Sequence, residues 1–187
     1  MGRGRHLSIS TEQMQLLLSI DSRLYSDESE DLGEEELFAI DDELNQAMYS
    51  IEEGLSQEHY YDTDKAWDDI HRALTGDNSP DGRVTSVRAA GPLNLCFIGG
   101  RLLGYEDDER FLMTLIQPEQ VKELAVALAA VTENHMRERF FSLDPNHTGY
   151  PIDENEFQAA YGNFRGLPPF FARAASEGRA VIFSATY

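Results

Sequence analysis

Phe111-Leu112-Met113-Thr114-Leu115-Ile116 is the stretch on which the fold class turns. Its six residues are apolar apart from Thr114, a length and composition that suit a strand covered on both faces. Pro118 then opens a helical pattern with Val121, Leu124, Ala125, Leu128 and Val131 inward. At one end of the chain, His6 to Ser10 alternates, with Leu7 and Ile9 on one side, and reads as a short strand. At the other end, Arg179 to Tyr187 reads as a final strand, with Val181, Phe183, Ala185 and Tyr187 alternating. Helical patterns separate the three strands. The predicted class is therefore α+β: a single domain over residues 1–187, with a small, about three-stranded sheet packed with several helices.

The helices carry their own punctuation. Ser10-Thr-Glu-Gln13 is a capping box ahead of Met14, Leu17 and Leu18. Leu37, Ile40, Leu44, Ala47, Met48, Ile51 and Leu55 fall at helical spacing, and Glu34, Glu35 and Glu36 stand where the macrodipole favours anions. Tyr61 to Gly76 reads as a further helix, capped by Asp62 or Thr63, with Ala66, Trp67, Ile70 and Leu74 inward and Gly76 as its stop. Asp77 to Arg88 reads as a loop, and Pro92 starts a short helix through Ile98, closed by Gly99-Gly100. Thr132 caps a helix carrying Met136, Phe140 and Leu143. Phe157, Tyr161 and Phe164 mark another helix, which Gly166-Leu-Pro-Pro169 breaks before a second piece runs to Gly178.

Charge narrows the partners. Lys and Arg number 15 against 34 Asp and Glu, a net charge of −19. A nucleic-acid interface needs a basic face to displace counterions, and an anionic membrane repels such a chain, so neither is an expected partner. No apolar run reaches the ~20 residues of a membrane span. No secretory signal is visible, and the lone Cys96 cannot form an internal disulfide, so the expected location is the cytoplasm. Leu24 to Asp64 holds 15 acidic residues and neither Lys nor Arg. Within it, Ser26 to Gly33 reads as a mobile acidic loop.

Asp62-Thr-Asp-Lys-Ala-Trp-Asp-Asp-Ile-His-Arg-Ala-Leu-Thr-Gly76 resembles the signature of the YfbM-like proteins, a bacterial family with a domain of unknown function. The matching positions are Asp62, Asp64, Lys65, Ala66, Trp67, His71, Leu74, Thr75 and Gly76. Pro92-Leu93, Gly99-Gly100, Pro118-Glu119, Tyr150-Pro151 and the closing apolar strand follow in the family's order, so the resemblance covers most of the chain. Two departures stand out: the acidic stretch from Leu24 to Glu58 looks long, and Leu167-Pro-Pro169 interrupts a helix expected to be continuous. The resemblance implies an α+β single domain and no activity.

Three groups of residues are candidates for function. On a continuous helix Asp64, Asp68 and His71 share one side, where a carboxylate could orient the imidazole for acid–base or metal-assisted hydrolysis. The structural alternative is a half-buried core histidine beside Trp67, with Asp62 and Asp64 capping free N–H groups. Asp144, Asn146, Thr148 and Gly149 imitate positions 1, 3, 5 and 6 of a calcium loop. There the register fails, because position 12 is Asn155 and Glu156 arrives one residue late, so at most a weak, distorted metal site is expected. Cys96 lies among Leu95, Phe97 and Ile98 and reads as an inert thiol, and Ser8, Ser10 and Ser184 lack a nucleophile elbow.

The acidic helix is the strongest of the three. Its carboxylates, Glu34, Glu35, Asp41 and Asp42 among them, make either a solubilising face or a docking surface for a basic protein. The leading expectation is a non-enzymatic acidic binding protein, an inhibitor or immunity-type partner of a basic protein, without a cofactor. A small hydrolase using Asp64, Asp68 and His71 is the alternative, and a weak calcium module at 144–156 is the third.

Overall fold

The computed structural model describes residues 2–25, 32–77, 91–104, 111–148 and 150–186. Of the expected loops Ser26 to Gly33 and Asp77 to Arg88, residues 26–31 and 78–88 lie outside the described residues, as do Gly149 and Tyr187. Among the described residues the sheet has five strands, not three: β1 (Gly4–Ile9), β2 (Tyr60–Asp64), β3 (Arg101–Leu102), β4 (Phe111–Ile116) and β5 (Ala180–Thr186). Their spatial order is β2-β1-β5-β4-β3, with antiparallel pairing throughout. The chain termini thus meet at the centre: β1 pairs with β5 from Gly4 opposite Ala185 to Ile9 opposite Ala180.

Both added strands lie on edges, where pairing rather than pattern makes them. β3 has only two residues, both exposed, so it leaves no periodic trace. β2 takes in residues 61–64, the start of the stretch that reads as a helix from sequence. Tyr60, Tyr61 and Thr63 are good strand formers, and His6 and Leu7 of β1 pair with Tyr61 and Tyr60.

Period-two alternation sends the two faces of the sheet into different cores. Leu7, Ile9, Met113, Leu115, Ala180 and Ile182 meet α1 (Thr11–Asp21) and α2 (Glu34–Gly54) on one side. Val181, Phe183 and Ala185 face the other helices. These are α3 (Trp67–Thr75), α4 (Pro118–Ala129), α5 (Glu133–Phe140), the single turn α6 (Pro145–Thr148), α7 (Glu154–Phe164) and α8 (Leu167–Ser176). The side chains of residues 112–116 are accordingly divided between the two cores, as the composition of the strand requires.

Helix ends follow their chemistry. Ser10 accepts from Gln13 N while the Gln13 side chain accepts from Ser10 N, completing the capping box. Thr132 accepts from His135 N at 3.2 Å. The segment after Pro92 is a 3-10 turn, Pro92–Cys96. The break between α7 and α8 falls at Gly166, where the Tyr61 ring packs so closely that a Cβ would lie 2.2 Å from it. Tyr61 is fixed there by donating to the Asn163 carbonyl at 2.6 Å.

Candidate functional site

α2 presents a divided surface. Ile40, Leu44, Met48 and Ile51 enter the core. Glu34, Glu35 and Asp42 are exposed on the outside. Asp41 is not: it is half-buried, takes a hydrogen bond from Asn45 Nδ2 at 3.0 Å, and faces Gly104. Its place beside the Ile40–Leu44 row turns it toward the body, so it leaves the expected docking set. Glu36 serves locally, accepting from Gly33 N at 3.1 Å. Two residues missing from the sequence expectation join the outer face. Phe38 is 61% exposed and Tyr49 63%. Residues 38, 42 and 49 differ by four and seven, so they line one stripe. The signal was present in the sequence, as aromatics out of phase with the core row.

The family signature spans β2, a sharp turn and α3. Asp64 ends β2 in the left-handed region at φ 50°, and its N–H donates to Asp62 Oδ1 at 2.7 Å. Arg3 reaches Asp62 at 2.6 Å and Asp64 at 3.6 Å. These carboxylates therefore shape a turn and do not cap α3, which begins only at Trp67 after Ala66. Gly76 closes α3 at φ 73°, as expected from sequence.

Starting the helix at Trp67 separates the proposed acid–base group. Asp64 is exposed at the strand end, whereas Asp68 and His71 are enclosed on α3. Trp67 packs against Phe97 and Phe183, and its indole N–H donates to the Gly2 carbonyl at 3.2 Å. His71 is fully buried, edge-on to Phe97 at 5.9 Å, with Nε2 4.0 Å from Asp77 Oδ2. Burial lowers its pKa to about 4, opposed by the Asp77 charge and assisted by Arg72. Asp68 Oδ2 accepts from Arg72 Nε at 2.9 Å, with both side chains fully enclosed. Burial raises the Asp68 pKa, while the Arg72 charge and hydrogen bond pull it down. Its other oxygen, Oδ1, is buried and has no hydrogen-bond partner among the described residues.

Asp69 is the most perturbed carboxyl of this cluster. Burial pushes it up to about 7, against the pull of the Tyr150 hydroxyl; Asp68 and Glu156 push the same way as burial, and Arg72 opposes them. Tyr150 lies near enough to act on Asp69 but does not reach good hydrogen-bond geometry, and burial raises its own pKa. Asp69 is not among the residues expected to face inward, Ala66, Trp67, Ile70 and Leu74, yet it is buried in the fold, where α3 packs against α5 and α7.

A second enclosed imidazole, His6, lies on the same side of the sheet, edge-on to Phe97 at 5.2 Å. Its Nε2 is 2.8 Å from the Cys96 carbonyl, and burial lowers its pKa to about 4. Cys96 is buried, with its thiol pushed up by desolvation.

Among the described residues of the calcium-like stretch, Asp144, Asn146 and Thr148 make local hydrogen bonds. Residues Pro145–Thr148 make a helical turn, and Asp144 Oδ1 accepts from Asn146 N and Nδ2, each at 2.9 Å. Thr148 Oγ1 donates to the Tyr150 carbonyl at 3.0 Å. Glu156 belongs to the first turn of α7, whose cap is Asp153. Among the described residues no group of three or more His, Cys, Asp or Glu is placed to hold a metal ion. Nor is any described helix long and apolar enough to cross a membrane.

Helices on both faces of an antiparallel sheet, with the first and last strands paired in its interior, define an α+β domain. The chain belongs to the family described as Domain of unknown function (DUF1877), whose model matches residues 1–184. The crystal structure of YfbM from Escherichia coli, a protein of unknown function, is similar over 100% of both chains, with a TM-score of 0.62 and 20% identity. That likeness concerns the fold. No match is found among curated proteins.

Proposed function

We propose that this protein is an acidic binding protein that docks a basic protein on the outer face of α2. The carrying observation is the exposure of Phe38 and Tyr49, at 61% and 63%, on a helix whose outer side also bears Glu34, Glu35 and Asp42. Carboxylates alone suit solubility. Two large exposed rings do not serve that purpose, since exposed aromatics favour association. Rings of this kind anchor interfaces, while surrounding charge steers the partner and selects against others. The two rings are eleven residues apart, about 16 Å along a helix, which matches the footprint of one partner element.

The test is capture from a lysate of the native host on immobilised protein, at low and high salt. One basic protein near stoichiometry, lost at high salt, is expected with the natural sequence. It should also be lost with Phe38→Ser/Tyr49→Ser and with Glu34→Gln/Glu35→Gln/Asp42→Asn. Asp41→Asn is the control, because that carboxylate faces Gly104. Retention unchanged by both outer-face variants would refute the assignment.

A further inference from the structure

Just beyond α2 the chain makes a 3-10 turn, Gln57–His59, headed by Ser56. The Ser56 hydroxyl does not cap that turn. It lies 3.0 Å from His59 Nδ1, while His59 Nε2 lies 2.8 Å from Glu177 Oε2. Glu177 follows α8, 118 residues later in the chain. Other helical serines are used differently: Ser19, Ser22, Ser142 and Ser176 donate to carbonyls one turn back. From this chain of contacts we infer that Ser56 is a nucleophile, with His59 as its base and Glu177 as the residue positioning His59, forming a site for small activated acyl esters.

The hydrogen-bond logic assigns the protons. A carboxylate only accepts, so the neutral imidazole directs Nε2–H to Glu177 and its Nδ1 lone pair to the Ser56 hydroxyl. That is the arrangement a serine needs to lose its proton while attacking. Access is open, since Ser56 is exposed, and the His59 and Glu177 side chains retain 18% and 38% of their surface. Arg179 Nε stands 3.9 Å from Glu177 Oε2. With an aryl ester, Ser56 Oγ bonds to the acyl carbon and its proton passes to His59 Nδ1. The bond from acyl carbon to aryl oxygen breaks, and the aryloxide leaves with the electron pair. His59 then releases the Nδ1 proton to bulk water and is neutral again, after which a water molecule adds to the seryl ester and gives a proton to His59 Nδ1. The bond from acyl carbon to Ser56 Oγ breaks, Ser56 regains a proton from His59, and the acid is released.

The site is separate from the α2 outer face, so the two assignments stand or fall independently. The experiment treats the full chain with p-nitrophenyl acetate, following p-nitrophenolate release together with intact mass and peptide mapping. An acetyl group on Ser56 is expected, absent in Ser56→Ala and formed about 100-fold more slowly in His59→Gln. Imidazole ¹⁵N shifts should report the Nε2–H tautomer in the natural protein and a mixture in Glu177→Ala, with slower acetylation. Acetylation spread over lysines, or at Ser56 with an unchanged rate in His59→Gln, would overturn the inference. So would release that Ser56→Ala leaves unaltered.

Discussion

Replacing Asp69 by Asn isolates the electrostatic cost of the buried cluster on α3. In the fold this carboxyl is only 7% exposed and holds its proton up to about pH 7, against an ordinary 3.8. A pKa raised by folding means that the native state binds a proton the unfolded chain has released. The linked stability is present below the ordinary value and is lost as pH rises through about 7. Each pH decade between the two values is worth about 1.4 kcal/mol, so ionised Asp69 costs the fold about 4 kcal/mol at pH 8. At pH 5 little more than one decade has been crossed, and the cost is about 1.5 kcal/mol. Asn is uncharged at both. Its advantage over Asp should therefore grow by about 3 kcal/mol between pH 5 and pH 8. In a domain of this size that corresponds to a relative gain of about 6–12 °C in melting temperature. Urea melts of both proteins at the two pH values measure it directly. A difference independent of pH would refute the reasoning, because a packing change carries no proton linkage.

The histidines act in the opposite direction: His6 and His71 have pKa values lowered to about 4, so their contribution is complete above pH 6.5 and lost as pH falls toward 4. Each should remove about 3 kcal/mol by pH 4, and His71→Leu should flatten the acid limb of stability measured by urea melts. Arg72→Met should destabilise by about 3–5 kcal/mol at neutral pH by leaving Asp68 charged and unpaired, with Asp68→Leu/Arg72→Met recovering most of the loss in the same assay. Gly166→Ala should cost about 2 kcal/mol through collision with Tyr61, and Tyr61→Leu should relieve it in a thermal melt of the double variant.

What was legible from sequence was whatever depends on neighbours along the chain. The Ser10–Gln13 box, the Thr132 cap, the Gly76 stop and the apolar row of α2 need only local spacing, and the structure contains all of them. The apolar Phe111–Ile116 run likewise announced a strand covered on both sides. The YfbM-like signature marked the segment around Trp67, and the family match extends it over residues 1–184. Tertiary structure decided the rest. Tyr60–Asp64 became an edge strand because β1 offered unpaired backbone groups, and this pairing outweighed a local pattern that reads as helix. That one change removed Asp64 from the face of His71. Burial was also a tertiary outcome: α3 packs against α5, α7 and the Pro92–Cys96 turn, and Asp68, Asp69, His71 and Arg72 are interior groups. The meeting of Ser56 and His59 with Glu177 has the same origin. Only the packing of α8 beside the 3-10 turn brings together residues 118 positions apart, a separation over which sequence spacing carries no geometric information.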